Sequence, residues 1–147
     1  MGYYMRFIID DRKDISLNAI EAGIKTIDPK FNFSEWDLDN EYAELRYGND
    51  LYGEIEIYRI EQGDEEIEEL IEDVEDAVEG NKILVLNLLH NTKAMFVLRV
   101  LWQGREAEAT LDTIAPLWDW LFDNYKGFLQ ADGEGYYEKG NLILKTE

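Results

Sequence analysis

No cysteine occurs among the 147 residues, which excludes a disulfide framework, cysteine zinc ligands and a thiol nucleophile. Histidine occurs once, as His90, and proline twice, as Pro29 and Pro116. With no Gly/Ser-rich stretch to divide the chain, residues 1–147 are expected to form one domain around a single core. Positive charge is scarce: 14 Lys and Arg stand against 33 Asp and Glu, a formal charge of -19. The bases are scattered, and only Arg12 and Lys13 adjoin. Binding to phosphate backbones depends on clustered cations displacing counterions, so no nucleic-acid partner is expected. Long apolar runs are missing too. The apolar run 83–89 is far too short to span a bilayer, so no membrane partner is expected. The first residues lack the apolar stretch and cleavage pattern of a secretory signal, and Arg6 stands where a myristoylation signal has Ser or Thr. A cytoplasmic location is the default expectation. Phosphate-binding loops, dinucleotide fingerprints, zincin motifs and serine nucleophile elbows are absent as well.

Acid is what the chain has in abundance, and it is concentrated in 61–79. That segment carries Glu61, Asp64, Glu65, Glu66, Glu68, Glu69, Glu72, Asp73, Glu75, Asp76 and Glu79, with no Lys or Arg. The apolar positions between them are Ile67, Leu70, Ile71, Val74, Ala77 and Val78, which fall in an arc of about 120° on a helical wheel. A helix capped by Asp64 and stopped near Gly80 is therefore predicted. Its first-turn acids suit the positive helix start, whereas Glu75, Asp76 and Glu79 lie at the unfavourable end. Like-charge pairs such as Glu68/Glu72 repel by a few tenths of a kcal/mol each. Such a helix needs tertiary burial, a cationic neighbour, or both. A saline solvent is an alternative source of the acidity, though the many isoleucines and several lysines argue against strong salt adaptation.

The remaining pattern predicts strands and helices in alternation. Residues 3–9 read as a strand, followed by a helix on Leu17, Ile20, Ile24 and Ile27 that Asp28-Pro29 terminates. Three strands are expected in 31–63. In the last, Ile55 and Ile57 face one way while Glu54, Glu56 and Tyr58 face the other. The apolar runs 83–89 and 94–102 read as a hairpin of central strands about His90-Asn91-Thr92-Lys93. A further helix carries Leu111, Ile114, Trp118, Leu121 and Phe122, with Pro116 inside it and Lys126-Gly127 as its end. A turn at 130–135 and a terminal strand pair in 136–145 complete the order. The expected class is α+β: one layered domain with a mostly antiparallel sheet, about three helices on one face, and possible elaboration of a ferredoxin-like topology.

Chemistry-bearing residues are dispersed. His90, placed by this reading in a hairpin loop, is the catalytic candidate, because a normal imidazole titrates near neutrality. Its plainer role is that of a solvent-facing turn residue. No organic cofactor is expected. Asp10, Asp11, Asp132 and Glu134 lie in two turns from which hard oxygen ligands for Mg²⁺ or Ca²⁺ would converge, although neither segment has calcium-loop spacing. Glu54 and Glu56 share a strand face, which simple alternation also explains. Glu68, Glu72 and Glu75 on the acidic helix, with Trp120 as an apolar anchor, are the protein-interaction candidates, core packing being the alternative for Trp120.

Three classes of function fit these features. The leading expectation is an acidic protein-interaction or regulatory module that meets a basic protein surface, with charge complementarity speeding encounter. The second is a small enzyme with a noncontiguous carboxylate or His90 site, helped by a divalent metal. The third is a homo-oligomeric structural protein, a homodimer in its simplest form, with the acidic helix turned away from the symmetry axis.

Overall fold

The aromatic and branched run Tyr3–Ile9 (β1) lies near the middle of the sheet, with antiparallel neighbours on both sides. The computed structural model describes residues 2–10, 13–61, 63–77 and 80–146. After β1 come α1 (Leu17–Ile27), β2 (Phe31–Asp37), β3 (Tyr42–Tyr47) and β4 (Asp50–Arg59). Then follow α2 (Glu65–Glu75), α3 (Lys82–Asn91), β5 (Ala94–Val100) and α4 (Ala107–Asn124). The chain continues through β6 (Gly127–Ala131), β7 (Gly135–Glu138) and β8 (Asn141–Lys145). Among the described residues, eight strands form one antiparallel sheet in the order β2-β3-β4-β5-β1-β6-β7-β8. The class is α+β as expected. A ferredoxin-like topology is not confirmed by this order, and the described residues form four helices rather than about three.

Two cores share the sheet. On one face Phe7, Ile9, Phe96 and Leu98 pack against α1 and α4, through residues such as Ile20, Ile24, Leu117 and Leu121. On the other, Ile8, Met95, Val97, Phe128 and Tyr136 pack against α2 and α3. The expectation of helices on one face is thereby corrected. β1 and β5 are apolar on both faces, and each fully buried Leu, Ile or Phe contributes about 1.5–3 kcal/mol, so both faces gain from cover. The expected central character of β5 holds: β4 and β1 flank it, and only Arg99 within it is not buried.

The expected strand at 83–89 is instead helix α3, and no hairpin joins it to β5. Four leucines, Leu84, Leu86, Leu88 and Leu89, favour helix over strand. Val85, Leu88 and Leu89 sit at i, i+3 and i+4 and are the buried face. Ile83 remains 76% exposed, so the run is apolar without being wholly interior. At the other end of the chain, the expected turn at 130–135 narrows to 132–134, because 127–131 is strand β6. Gly127 is also not a helix cap. A Cβ there would lie 2.1 Å from the carbonyl oxygen of Ile8, so the glycine permits close approach of β6 to β1.

Helix α2 forms over Glu65–Glu75, capped by Asp64 as anticipated but ending short of the expected stop near Gly80. The Asp64 carboxylate accepts from the backbone N–H of Glu66 at 3.0 Å and of Ile67 at 3.2 Å. Ile67, Leu70, Ile71 and Val74 are buried, and Ala77 lies just past the helix, half-buried. Val78 and Glu79 lie outside the described residues. Both stabilising devices required by its charge are present. Glu66 turns inward to Arg6, and Lys82 donates to the carbonyls of Glu75 and Ala77 at the negative end.

Candidate functional site

Helices α2 and α3 cover only part of their face of the sheet. Beyond them the strands of β3, β4, β5 and β1 present polar side chains in register. One cross-strand row reads Glu44–Glu54–Arg99–Tyr4, and the next Tyr42–Glu56–Val97–Arg6. Tyr58 begins a third row that continues into buried Met95 and Ile8. Alternation alone aims these residues outward, since Ala43, Leu45, Ile55 and Ile57 occupy the opposite face. The half-buried Tyr4, Tyr42, Tyr58, Glu54, Glu56 and Arg99 enclose a depression of about 200 Å³.

Charge in this depression is unevenly satisfied. The Tyr42 hydroxyl donates to Glu54 at 2.7 Å, and the Arg99 guanidinium donates to its other oxygen at 2.6 Å. The Tyr42 bond, with help from Arg99, outweighs burial and holds the Glu54 carboxyl below its ordinary value. Burial and the bond to Glu54, with nearby carboxylates, push the Tyr42 phenol up to about 12. Glu44 pairs with Arg46 at 3.1 Å. Glu56 differs: among the described residues it has no ion pair and no hydrogen bond to its carboxylate. Burial raises its pKa, and the nearby Glu66 carboxylate of α2 adds to the rise. Tyr58 beside it is raised by burial and by the same two glutamates.

The wall next to this depression is α2. Glu65, Glu68, Glu69, Glu72, Asp73, Glu75 and Asp76 are exposed, and none forms an ion pair with a described residue. The expected interaction residues Glu68, Glu72 and Glu75 therefore stand on an open acidic surface. Trp120 does not belong to that surface. It lies on α4, across the sheet, and packs over Gly23 of α1 with its ring set edge-on to Tyr125 at 6.1 Å. Glu68 and Trp120 thus stand on helices that cover opposite faces of the sheet.

Asp10 and Asp132, from the two candidate turns, are not brought together. Asp132 sits beside Tyr4, accepting its N–H at 3.1 Å, whereas Asp10 follows Ile9 and donates its own N–H to the Lys126 carbonyl at 2.8 Å. The six residues of β1 between them span about 20 Å. Asp132 also accepts from Arg6 at 2.8 Å, and Glu134 accepts from the hydroxyls of Tyr3 and Tyr137. Asp11 lies outside the described residues. Among those described, no group of three or more His, Asp or Glu side chains is arranged to hold a metal ion. His90 is exposed in the last turn of α3 rather than in a hairpin loop. It borders a depression of about 390 Å³ with Glu61, Asp64, Glu68 and Lys93, and no described side chain hydrogen-bonds to it.

The face of β4 was visible in the alternation of Glu54, Glu56 and Tyr58. Its partners Tyr4, Tyr42 and Arg99 were not, because only strand order and register set them beside it. No described helix is long and apolar enough to cross a membrane. Comparison with protein-family models, curated proteins and solved structures finds no match to this chain.

Proposed function

We propose that this chain is an acidic protein-interaction module that receives a basic polypeptide segment along α2 and the adjoining open sheet face. Glu56 is the observation that carries the reading. It is a half-buried carboxylate with no cation, raised by burial and by Glu66, between Tyr42 and Tyr58. A Lys or Arg side chain entering from a partner relieves both effects at once, and the tyrosine rings offer it cation–π contact. The unpaired carboxylates of Glu68, Glu72 and Glu75 extend the field that draws such a segment in.

The test is fluorescence anisotropy with a labelled Lys/Arg-rich peptide at about 0.05 and 0.3 M salt, which shortens the screening distance about twofold. Affinity is expected to fall with salt and to weaken about threefold or more in Glu56→Gln, roughly 0.7 kcal/mol. Neutralising Glu68, Glu72 and Glu75 together should weaken it further. Neutralising the exposed Glu106, Glu108 and Asp112 near the start of α4 should matter much less. Equal losses from both sets of three would mean that overall charge, not this surface, attracts the peptide, and would overturn the proposal.

A further inference from the structure

The opposite face of the sheet holds a second concavity, beneath α4 where it crosses β1, β6 and β7. It has a volume of about 240 Å³. Met5, Leu129, Trp118 and Phe122 make its walls predominantly apolar. An apolar cavity of about 150 Å³ accommodates benzene, so this one suits a ligand of about ten non-hydrogen atoms.

Polar groups gather on one side of it. Glu134, in the β6–β7 turn, lines the cavity together with Tyr3 and Tyr137. One carboxylate oxygen accepts from the Tyr3 hydroxyl and the other from the Tyr137 hydroxyl at 2.7 Å. A carboxylate offers about four lone-pair sites, so two remain for a further donor. The bond to Glu134 and burial push the Tyr137 phenol up to about 12, and burial with the same bond raises Tyr3, so both remain hydroxyl donors at neutral pH. No described cation pairs with Glu134, and Asp119 adds a second negative group to the lining. The tyrosine rings give an ammonium group aromatic neighbours as well, with the Trp102 ring tilted against Tyr3 at 5.6 Å. Trp118 is only 6% exposed, and its indole N–H, itself closed off from solvent, has no acceptor among the described residues.

We propose that the cavity beneath α4 binds a small organic amine, its apolar body against Met5, Leu129 and Phe122 and its ammonium group at Glu134. Negative charge on the ligand is disfavoured by Glu134 and Asp119, and a neutral ligand forgoes the charge attraction to Glu134.

The test is titration of the full chain with phenethylamine, phenylalanine amide, phenethyl alcohol and phenylacetate, followed by ¹H–¹⁵N NMR. The Trp118 indole signal is identified from its loss in Trp118→Phe. The amines are expected to move that signal saturably, with the alcohol weaker by about tenfold and phenylacetate weaker still. Glu134→Gln removes the charge, keeps one acceptor oxygen for a phenol while its NH2 donates to the other hydroxyl, and should weaken phenethylamine about tenfold while changing the alcohol much less. Ala115→Leu fills the cavity and should abolish binding of both. The combined Glu68→Gln, Glu72→Gln and Glu75→Gln variant should bind phenethylamine as the parent does. The proposal is overturned by any of three results: no saturable binding below roughly 10 mM, equal affinity for amine and alcohol, or amine binding that survives Glu134→Gln but disappears with the α2 acids.

Discussion

Replacing Arg6 by Met tests how the acidic helix is held to the sheet. The Arg6 side chain is 13% exposed and binds three groups from two distant segments. Its Nε donates to Glu66 of α2 at 2.9 Å, and one terminal nitrogen donates to Asp132 at 2.8 Å and to Gln130 at 2.7 Å. Burial works to lower its pKa, but the bonds to Asp132 and Glu66 outweigh it, so the guanidinium stays charged. Methionine preserves most of the stem's packing and removes only the charged fork. Breaking a fully buried pair costs about 3–5 kcal/mol, mainly by stranding the partner's charge. Here Glu66 and Asp132 retain 28% and 35% side-chain exposure, so water recovers part of that loss. A cost of about 2–3 kcal/mol follows.

Urea unfolding followed by circular dichroism measures it. With a slope of roughly 1–3 kcal/mol/M the midpoint should fall by about 1 M or more, without a change of slope. In a domain of this size the melting temperature should fall by about 5–10 °C. A cycle with Glu66→Gln should return a coupling energy above about 0.5 kcal/mol. Amide exchange should accelerate in α2 more than in β5, because β5 keeps both strand neighbours. A loss below about 0.5 kcal/mol, or two substitutions whose effects simply add, would refute the reasoning that this pairing docks α2.

Three further substitutions probe individual features. Gly23→Ala should destabilise by about 1–2 kcal/mol on thermal melting, although alanine is the better helix former, because the added Cβ meets the Trp120 ring at 2.0 Å. Glu56→Gln should raise stability by a few tenths of a kcal/mol at neutral pH while it weakens peptide binding. Since the folded pKa of Glu56 is raised, its destabilising effect is full above that value and vanishes below the ordinary glutamate range, so urea unfolding at about pH 3 should show no gain. Glu54→Gln has the opposite sign. Its lowered folded pKa means that its stabilisation is present above the ordinary value and is lost as pH falls through the folded one. It should cost about 1 kcal/mol at about pH 7 and progressively less in acid.

Residues whose partners lie on their own element were legible in the sequence. Ile67, Leu70, Ile71 and Val74 form one face of α2 whatever they pack against, and Asp64 caps that helix within three residues of itself. The run 83–89 was not legible, because a short apolar stretch has too little periodicity to separate helix from strand. Its leucine content was the available signal, and the exposure of Ile83 obscures it further. β6 failed to register for a different reason: Gly127 looks like a helix stop until β1 is placed 2.1 Å from its missing Cβ. The open face shows the same division. Alternation put Glu54 and Glu56 side by side on β4, with nothing to distinguish them. Strand order then gave Glu54 a guanidinium from β5 and a phenol from β3, and gave Glu56 the apolar Val97 opposite and the Glu66 carboxylate nearby. Identical residues two positions apart thus acquire opposite electrostatics from their neighbours across the sheet. Of the pair, Glu56 is the one whose charge an incoming cation would stabilise.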